Sequence, residues 1–102
     1  MLIYNTTFGI DAAIENEFVE WLRAEFIPSA VADGEYFTDP ELFRVEDEHE
    51  PGVTSLALHL RAASREDIAT WYADHGSRLF DAILKRWPSR AVFFSTTLSA
   101  LQ

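Results

Sequence analysis

The chain contains no cysteine. Disulfides, thiolate metal sites and a cysteine nucleophile are therefore excluded. Basic residues are scarce: 8 Lys and Arg stand against 17 Asp and Glu, for a formal charge of −9. Such a balance argues against binding nucleic acid or an anionic membrane, both of which need a basic face. No apolar run approaches the ~18 residues that a membrane-spanning helix requires. The opening Met1-Leu-Ile-Tyr-Asn-Thr-Thr-Phe has no basic n-region and alternates like a strand. No signal peptide is expected, and the expected location is cytoplasmic. Glycine-rich phosphate loops, G-x-S-x-G, H-E-x-x-H and histidine pairs at i, i+4 are all missing. The sequence thus predicts no cofactor and no metal centre, and it singles out no catalytic motif.

What is present fits one folded unit. The 102 residues are 48% apolar and 25% charged, proportions of a globular domain. A lone chain of this size buries only roughly 60–70% of its unfolded surface, so a partner subunit would help build a pocket. The charge is uneven. Residues 1–51 hold 13 acids and 2 bases, and residues 52–102 hold 4 acids and 6 bases. The acidity therefore belongs to the first helix and to residues 33–50. A solvated outer face explains it most simply, and an acidic surface for a basic partner is the sharper alternative.

The periodicities set the element order. Leu2, Tyr4, Thr6, Phe8 and Ile10 alternate with Ile3, Asn5, Thr7 and Gly9, and both sets are uncharged, as in a central strand covered on both faces. Asp11 is a good N-cap for a helix from Ala12, with Ile14, Phe18, Trp21 and Leu22 on its apolar stripe. Pro28 is expected to kink or end that helix, and the chain leaves at Asp33-Gly34. A second strand over residues 35–46 is interrupted by Asp39-Pro40, which points to an edge or a bulge. Leu42, Phe43 and Val45 are its core candidates. Glu46-Asp-Glu-His-Glu50 reads as a solvated loop, because it lacks calcium-loop spacing and its neighbours repel one another. A third strand covers residues 53–61. Ser64 caps the next helix, whose stripe is Ile68, Tyr72, His75, Leu79 and Ile83, widened by Trp71, Phe80 and Leu84. Gly76 weakens it internally, and Pro88 stops it. Residues 90–98 form a fourth, nearly uncharged strand.

Strand, helix, strand, strand, helix, strand is the α+β, ferredoxin-like split βαβ pattern over residues 1–102. Its usual form is a four-stranded antiparallel sheet with both helices on one face. The Leu56, Leu58 and Leu60 face is expected to lie under the helices. The opposite sheet face is too poor in charge for a monomer's surface. A second copy of the same sheet is its simplest cover, giving a homodimer of the dimeric α/β-barrel type.

Several segments resemble the DUF4286 family of small bacterial proteins. They are Met1-Leu-Ile-Tyr-Asn-Thr-Thr, Glu20-Trp21-Leu22 with Ile27-Pro28, Gly34 before an aromatic pair, Gly52-Val53-Thr54, and Phe93-Phe94-Ser95-Thr96-Thr97-Leu98. The resemblance spans nearly the whole chain. It implies a ferredoxin-like dimeric α/β-barrel and no assigned activity. One position departs from the resemblance: many members of that family have His before Ile-Pro, where this chain has Phe26.

The candidate ligand-binding residues are Asn5, Trp21, His59, Tyr72, His75 and Ser95. By parity, Asn5, Thr7, His59, Ser95 and Thr97 are expected to form one polar strip across a mostly apolar sheet. Convergent polar groups of that kind suit a small-molecule pocket, or they satisfy one another at a sheet–sheet interface. His75 is either a hydrogen-bonded core residue or a general base. Trp21, Trp71 and Tyr72 either line a cavity between helices and sheet or belong to the core. Three functions compete: a homodimeric module binding a small apolar or aromatic ligand, a cofactor-independent monooxygenase- or isomerase-like enzyme, and a protein-interaction dimer using its acidic face.

Overall fold

A computed structural model describes residues 1–47 and 50–101. Glu48 and His49, in the acidic loop of the sequence reading, lie outside the described residues. Strand β1 (Leu2–Asp11) runs into a short 3-10 turn at Ala12–Ile14, where the Asp11 carboxylate accepts from the Ala13 N–H at 2.9 Å. A continuous helical rod follows: α1 (Glu15–Trp21), a π turn (Leu22–Phe26) and α2 (Ile27–Val31). Strands β2 (Thr38–Arg44) and β3 (Val53–Ala62) come next. The second rod comprises α3 (Arg65–Trp71), a π turn (Tyr72–Gly76) and α4 (Ser77–Arg86), and β4 (Ala91–Ser99) closes the fold. Ser64 caps α3 by accepting from the Asp67 N–H at 3.1 Å.

The sheet order is β2-β3-β1-β4, and every pairing is antiparallel. The expected ferredoxin-like arrangement is therefore present. Tyr4, Thr6, Phe8 and Ile10 of β1 and Leu56, Leu58, Leu60 and Ala62 of β3 are buried on the helix side. Their odd-numbered neighbours form the open face.

Aromatic rings dominate the core. Phe26 is fully buried among Phe8, Trp21, Trp71 and Phe80. Centroid separations of 5.4–6.1 Å put these rings in edge contact. Trp71 is also fully buried, against Tyr4, Phe26 and Phe37. Its Nε1–H has no hydrogen-bond partner among the described residues. An orphaned donor costs about 1–3 kcal/mol, which burial of the large ring offsets.

Three expectations need correction. Pro28 neither ends nor breaks the first rod, which continues to Val31. The ladder shifts one turn earlier, where the Ile27 N–H bonds to the Leu22 carbonyl, five residues back. Phe43 is not in the core: it is 44% exposed on the open face, while Leu42 is half-buried and Phe37, just before the strand, is fully buried. The bulge between Thr38 and Glu41, with Asp39 at φ 52°, sets the phase of β2. Tyr72 is 47% exposed rather than central to the apolar stripe, and Trp71 takes the buried place.

Glu15 ties the first rod to the sheet. It accepts from the Arg44 guanidinium of β2 and from Thr54 Oγ1 of β3 at 3.0 Å. These hydrogen bonds, the Arg44 bond foremost, hold its carboxyl below the ordinary glutamate range. Stability gained this way is complete above that range and is lost as pH falls through the lowered value. Glu15→Gln will therefore be less stable than wild type at neutral pH. The gap will narrow in acid, as read by urea unfolding along a pH series.

Gly76 has a steric reason. A Cβ there would lie 2.6 Å from the Trp71 ring. Overpacking costs roughly 1–3 kcal/mol, against the roughly 1 kcal/mol that alanine gains over glycine in a helix. Gly76→Ala is expected to lose about 1 kcal/mol net, seen as a lower urea midpoint.

Candidate functional site

The register of β4 against β1 decides which polar residues meet. Thr6 lies opposite Ser95, and Tyr4 opposite Thr97. Ser95 and Thr97 consequently sit on the helix side, and the Thr6 and Ser95 hydroxyls are 2.9 Å apart. The single polar strip expected from parity does not form, because β4 is offset by one residue from the phase that parity assumed. On the open face the strip is instead Glu41, His59, Asn5 and Thr96, one from each strand in register. There the His59 ring meets Phe43 edge-on at 5.2 Å, and Asn5 Nδ2 donates to Thr7 Oγ1 at 3.4 Å.

Two adjoining cavities open between the second rod and edge strand β4. One, of about 300 Å³, is lined by Tyr4, Arg65, Ile68, Ala69, Tyr72 and Thr97. The other, of about 260 Å³, is lined by Tyr4, Tyr72, Phe80, Phe93, Phe94 and Ser95. They share Tyr4 and Tyr72 as walls, so we treat them as one groove. Its floor is aromatic: Phe80 and Phe93 lie 4.7 Å apart at 33°, and Tyr72 leans on Phe80 at 6.1 Å. Tyr4 is held beneath by stacking on Phe37 at 5.6 Å and by the edge of Trp71.

The polar groups of this groove are few. Tyr4 is only 7% exposed, yet its hydroxyl has no hydrogen-bond partner among the described residues. It keeps access to solvent, since Trp71 Nε1 is the one fully buried side-chain polar atom left without a partner among the described residues, so a ligand in the groove would compete with water for it. Ser95 and Thr97 add hydroxyls along β4, and Arg65 supplies the one charge among the lining residues.

Tyr72 and Ser95 are thus brought together on the groove. The other candidates go elsewhere. Asn5 and His59 are on the open sheet face. Trp21 packs on Phe18, Phe26 and Trp87 in the core of the first rod. His75 is half-buried beside Tyr36, at 5.8 Å between ring centroids, with its Nδ1 3.4 Å from Arg78. The Tyr36 hydroxyl donates to Asp74 at 3.3 Å. Partial burial, reinforced by the charges of Glu35 and Asp74, raises the Tyr36 phenol above its ordinary value. Tyr4 and Arg65 escaped the sequence reading. Tyr4 has the parity of a core residue, and nothing in a sequence shows that its hydroxyl lacks a partner.

A wider depression of about 590 Å³ lies at the far end of the strands, around Gly9, Ser55, Val92 and Arg90. Its guanidinium is already committed, with Arg90 Nε 3.7 Å from Asp11. Among the described residues its lining has no aromatic ring, so we favour the smaller groove for a small apolar or aromatic ligand.

The family described as "Domain of unknown function (DUF4286)" matches residues 1–101. No curated protein matches the chain. Among solved structures, one provisionally described as an antibiotic biosynthesis monooxygenase from Deinococcus radiodurans shares 17% identity at a TM-score of 0.70. The match covers 100% of this chain and 94% of that one. A variant of MhuD with two manganese protoporphyrin IX molecules bound per active site shares 14% identity at a TM-score of 0.72, covering 100% and 96%. The de novo designed protein Foldit4 shares 10% identity at a TM-score of 0.61, covering 97% of each chain. At these identities the likeness is one of fold, and a designed relative underlines that fold and function are separable.

If the Tyr4 hydroxyl is free, its removal leaves no partner stranded. Tyr4→Phe is therefore expected to change unfolding free energy by less than about 0.5 kcal/mol. Urea unfolding measures this, and a loss above about 1 kcal/mol would mean that the hydroxyl is bonded within the fold.

Proposed function

The chain belongs to the DUF4286 family, and from that premise we propose that it is a homodimeric module that binds a small apolar or aromatic ligand in the groove between the second rod and β4. The free Tyr4 phenol carries this reading. It is a solvent-accessible hydrogen-bonding group at an aromatic cavity wall, without a protein partner among the described residues. An apolar enclosure with a few convergent polar groups is the usual make-up of a small-molecule site.

The open sheet face supports the homodimer. Val92 is 72% exposed, Phe94 62%, Phe43 44% and Leu98 41%. All four lie on that face with Ile3 and Ala57, an apolar surface of the kind that marks an interaction site. The same face carries Glu41 and Arg61 near its margin, so a second copy turned about a two-fold axis can set one charge against the other. Phe94 also lines the groove, which links the two surfaces at β4.

A second reading, cofactor-independent oxygenase- or isomerase-like chemistry, is supported at the level of fold by the monooxygenase-type structures. Neither His59 nor His75 lines the groove. Proton transfer there would fall to Tyr4 and Tyr72, with Arg65 as the electrostatic group.

Thermal-shift screening against one- and two-ring aromatics tests the ligand site. Binding is expected in wild type and is expected to vanish in Ala69→Trp, whose indole fills the groove from an exposed position on α3. Binding that survives this substitution would place the ligand elsewhere. Oxygen uptake by the liganded protein would favour the enzyme reading. Light scattering at micromolar concentration is expected to give a dimer mass for wild type and a monomer mass for Phe94→Asp, and a monomeric wild type would refute the dimer.

A further inference from the structure

We propose that the ligand of this groove is a planar aromatic anion: one or two rings bearing a carboxylate or phenolate, with the anionic group at Arg65 and the rings against Tyr72, Phe80 and Phe93. This rests on the reading of the groove as the ligand site. It goes further by fixing the sign of the ligand's charge.

The argument begins with a local reversal. The chain carries 17 acids and a net charge of −9, yet among the described residues no carboxylate lines the groove. Its charged lining residue is Arg65, in the first turn of α3. Glu66 and Asp67 follow directly in sequence, but the Arg65 guanidinium makes no ion pair or hydrogen bond among the described residues. Beside it, Tyr4 and Thr97 are register partners on β1 and β4. Guanidinium, phenol and hydroxyl can all donate, and with Arg65 as the one charged lining residue among those described they complement an anion.

The overall negative charge opposes such a ligand, so range decides. At about 0.15 M salt the Debye length is roughly 8 Å. Neither Glu66 nor Asp67, the acids next to Arg65, lines the groove, so they and the acids elsewhere act on a ligand through screening solvent, whereas Arg65 acts in direct contact. A cationic ligand would be drawn toward the protein as a whole and would then meet a guanidinium. Cavities of about 300 and 260 Å³ hold one or two fused rings, and the rings of Phe80 and Phe93, tilted 33° to each other, offer aromatic faces to a flat one.

Three probes of one shape separate the alternatives: naphthoate, naphthalenemethanol and naphthylmethylammonium, titrated calorimetrically into the full chain at neutral pH. Naphthoate is expected to bind at least about tenfold tighter than the alcohol, and the ammonium weakest of all. Arg65→Gln should bring naphthoate down to the affinity of the alcohol while leaving the alcohol unchanged. Tyr4→Phe should weaken naphthoate severalfold, at unchanged stability. Equal binding of alcohol and naphthoate, or tighter binding of the ammonium, overturns the anion while the groove reading stands. Naphthoate binding that is indifferent to Arg65→Gln overturns it as well. Failure of all three probes, or binding unaffected by Ala69→Trp, overturns the groove reading and the anion with it.

Discussion

The seating of Trp71 over Gly76 is the constraint on which the helix side of this protein depends. The indole is fully buried between Tyr4, Phe26 and Phe37, and it lies so close to Gly76 that no Cβ fits between them. The π turn of Tyr72–Gly76 makes this contact possible by adding a residue to one turn of the rod. With Trp71 facing the core, Tyr72 is turned out toward β4. The same indole props the Tyr4 ring, whose hydroxyl then reaches the groove. One packing contact thereby sets both shared walls of the site, so the site's shape follows from the core rather than from a mobile loop.

This also explains what the sequence could and could not disclose. Element order, the uncharged strands and the leucine face of β3 are period-two and stripe patterns, and all are legible in one chain. The errors share a cause, which is loss of phase. A π turn shifts the helical stripe by one residue, roughly 100° around the axis, and that is how Trp71 displaced Tyr72 from the core. A bulge at Asp39-Pro40 shifted β2 and carried Phe43 to the open face. Ser95 was assigned to the wrong side because a strand's parity is internal to it. Its phase relative to β1 is set by the turn after Trp87, where Ser89 adopts φ 62°. Periodicity therefore located the sheet but could not locate the groove, which exists only through the relative phase of three elements.

The charge distribution acquires a meaning that composition alone did not give it. Most of the described acids lie on the first rod, on β2 and beside it, and four, Glu66, Asp67, Asp74 and Asp81, lie on the second rod, whereas the open face and the groove are nearly free of them. The first rod still uses its acids structurally: Glu15 takes Arg44 and Thr54, and Glu17 accepts from Trp87 Nε1 at 2.9 Å. A surface that concentrates negative charge on one flank leaves the other flank free for apolar contact. The Arg90 to Asp11 pair is half-exposed and contributes little to stability, whereas Glu15 is the sheltered member of its pair with Arg44.

Strand β4 is where these themes meet. Its alternate residues serve opposite sides: Phe93, Ser95 and Thr97 line the groove, whereas Val92, Phe94 and Leu98 face outward with the open sheet. Phe94 belongs to both surfaces, because the groove wraps over the strand at that point. As an edge strand, β4 is held on one side only, by β1, and the Thr6 to Ser95 hydroxyl contact is the polar pin between them. Anything that covers the open face would bury Phe94 and complete the lip of the groove. Anything that fills the groove would in turn brace β4 and hold Phe94 in place. On the proposed reading, one aromatic side chain on one edge strand would link assembly to ligand binding.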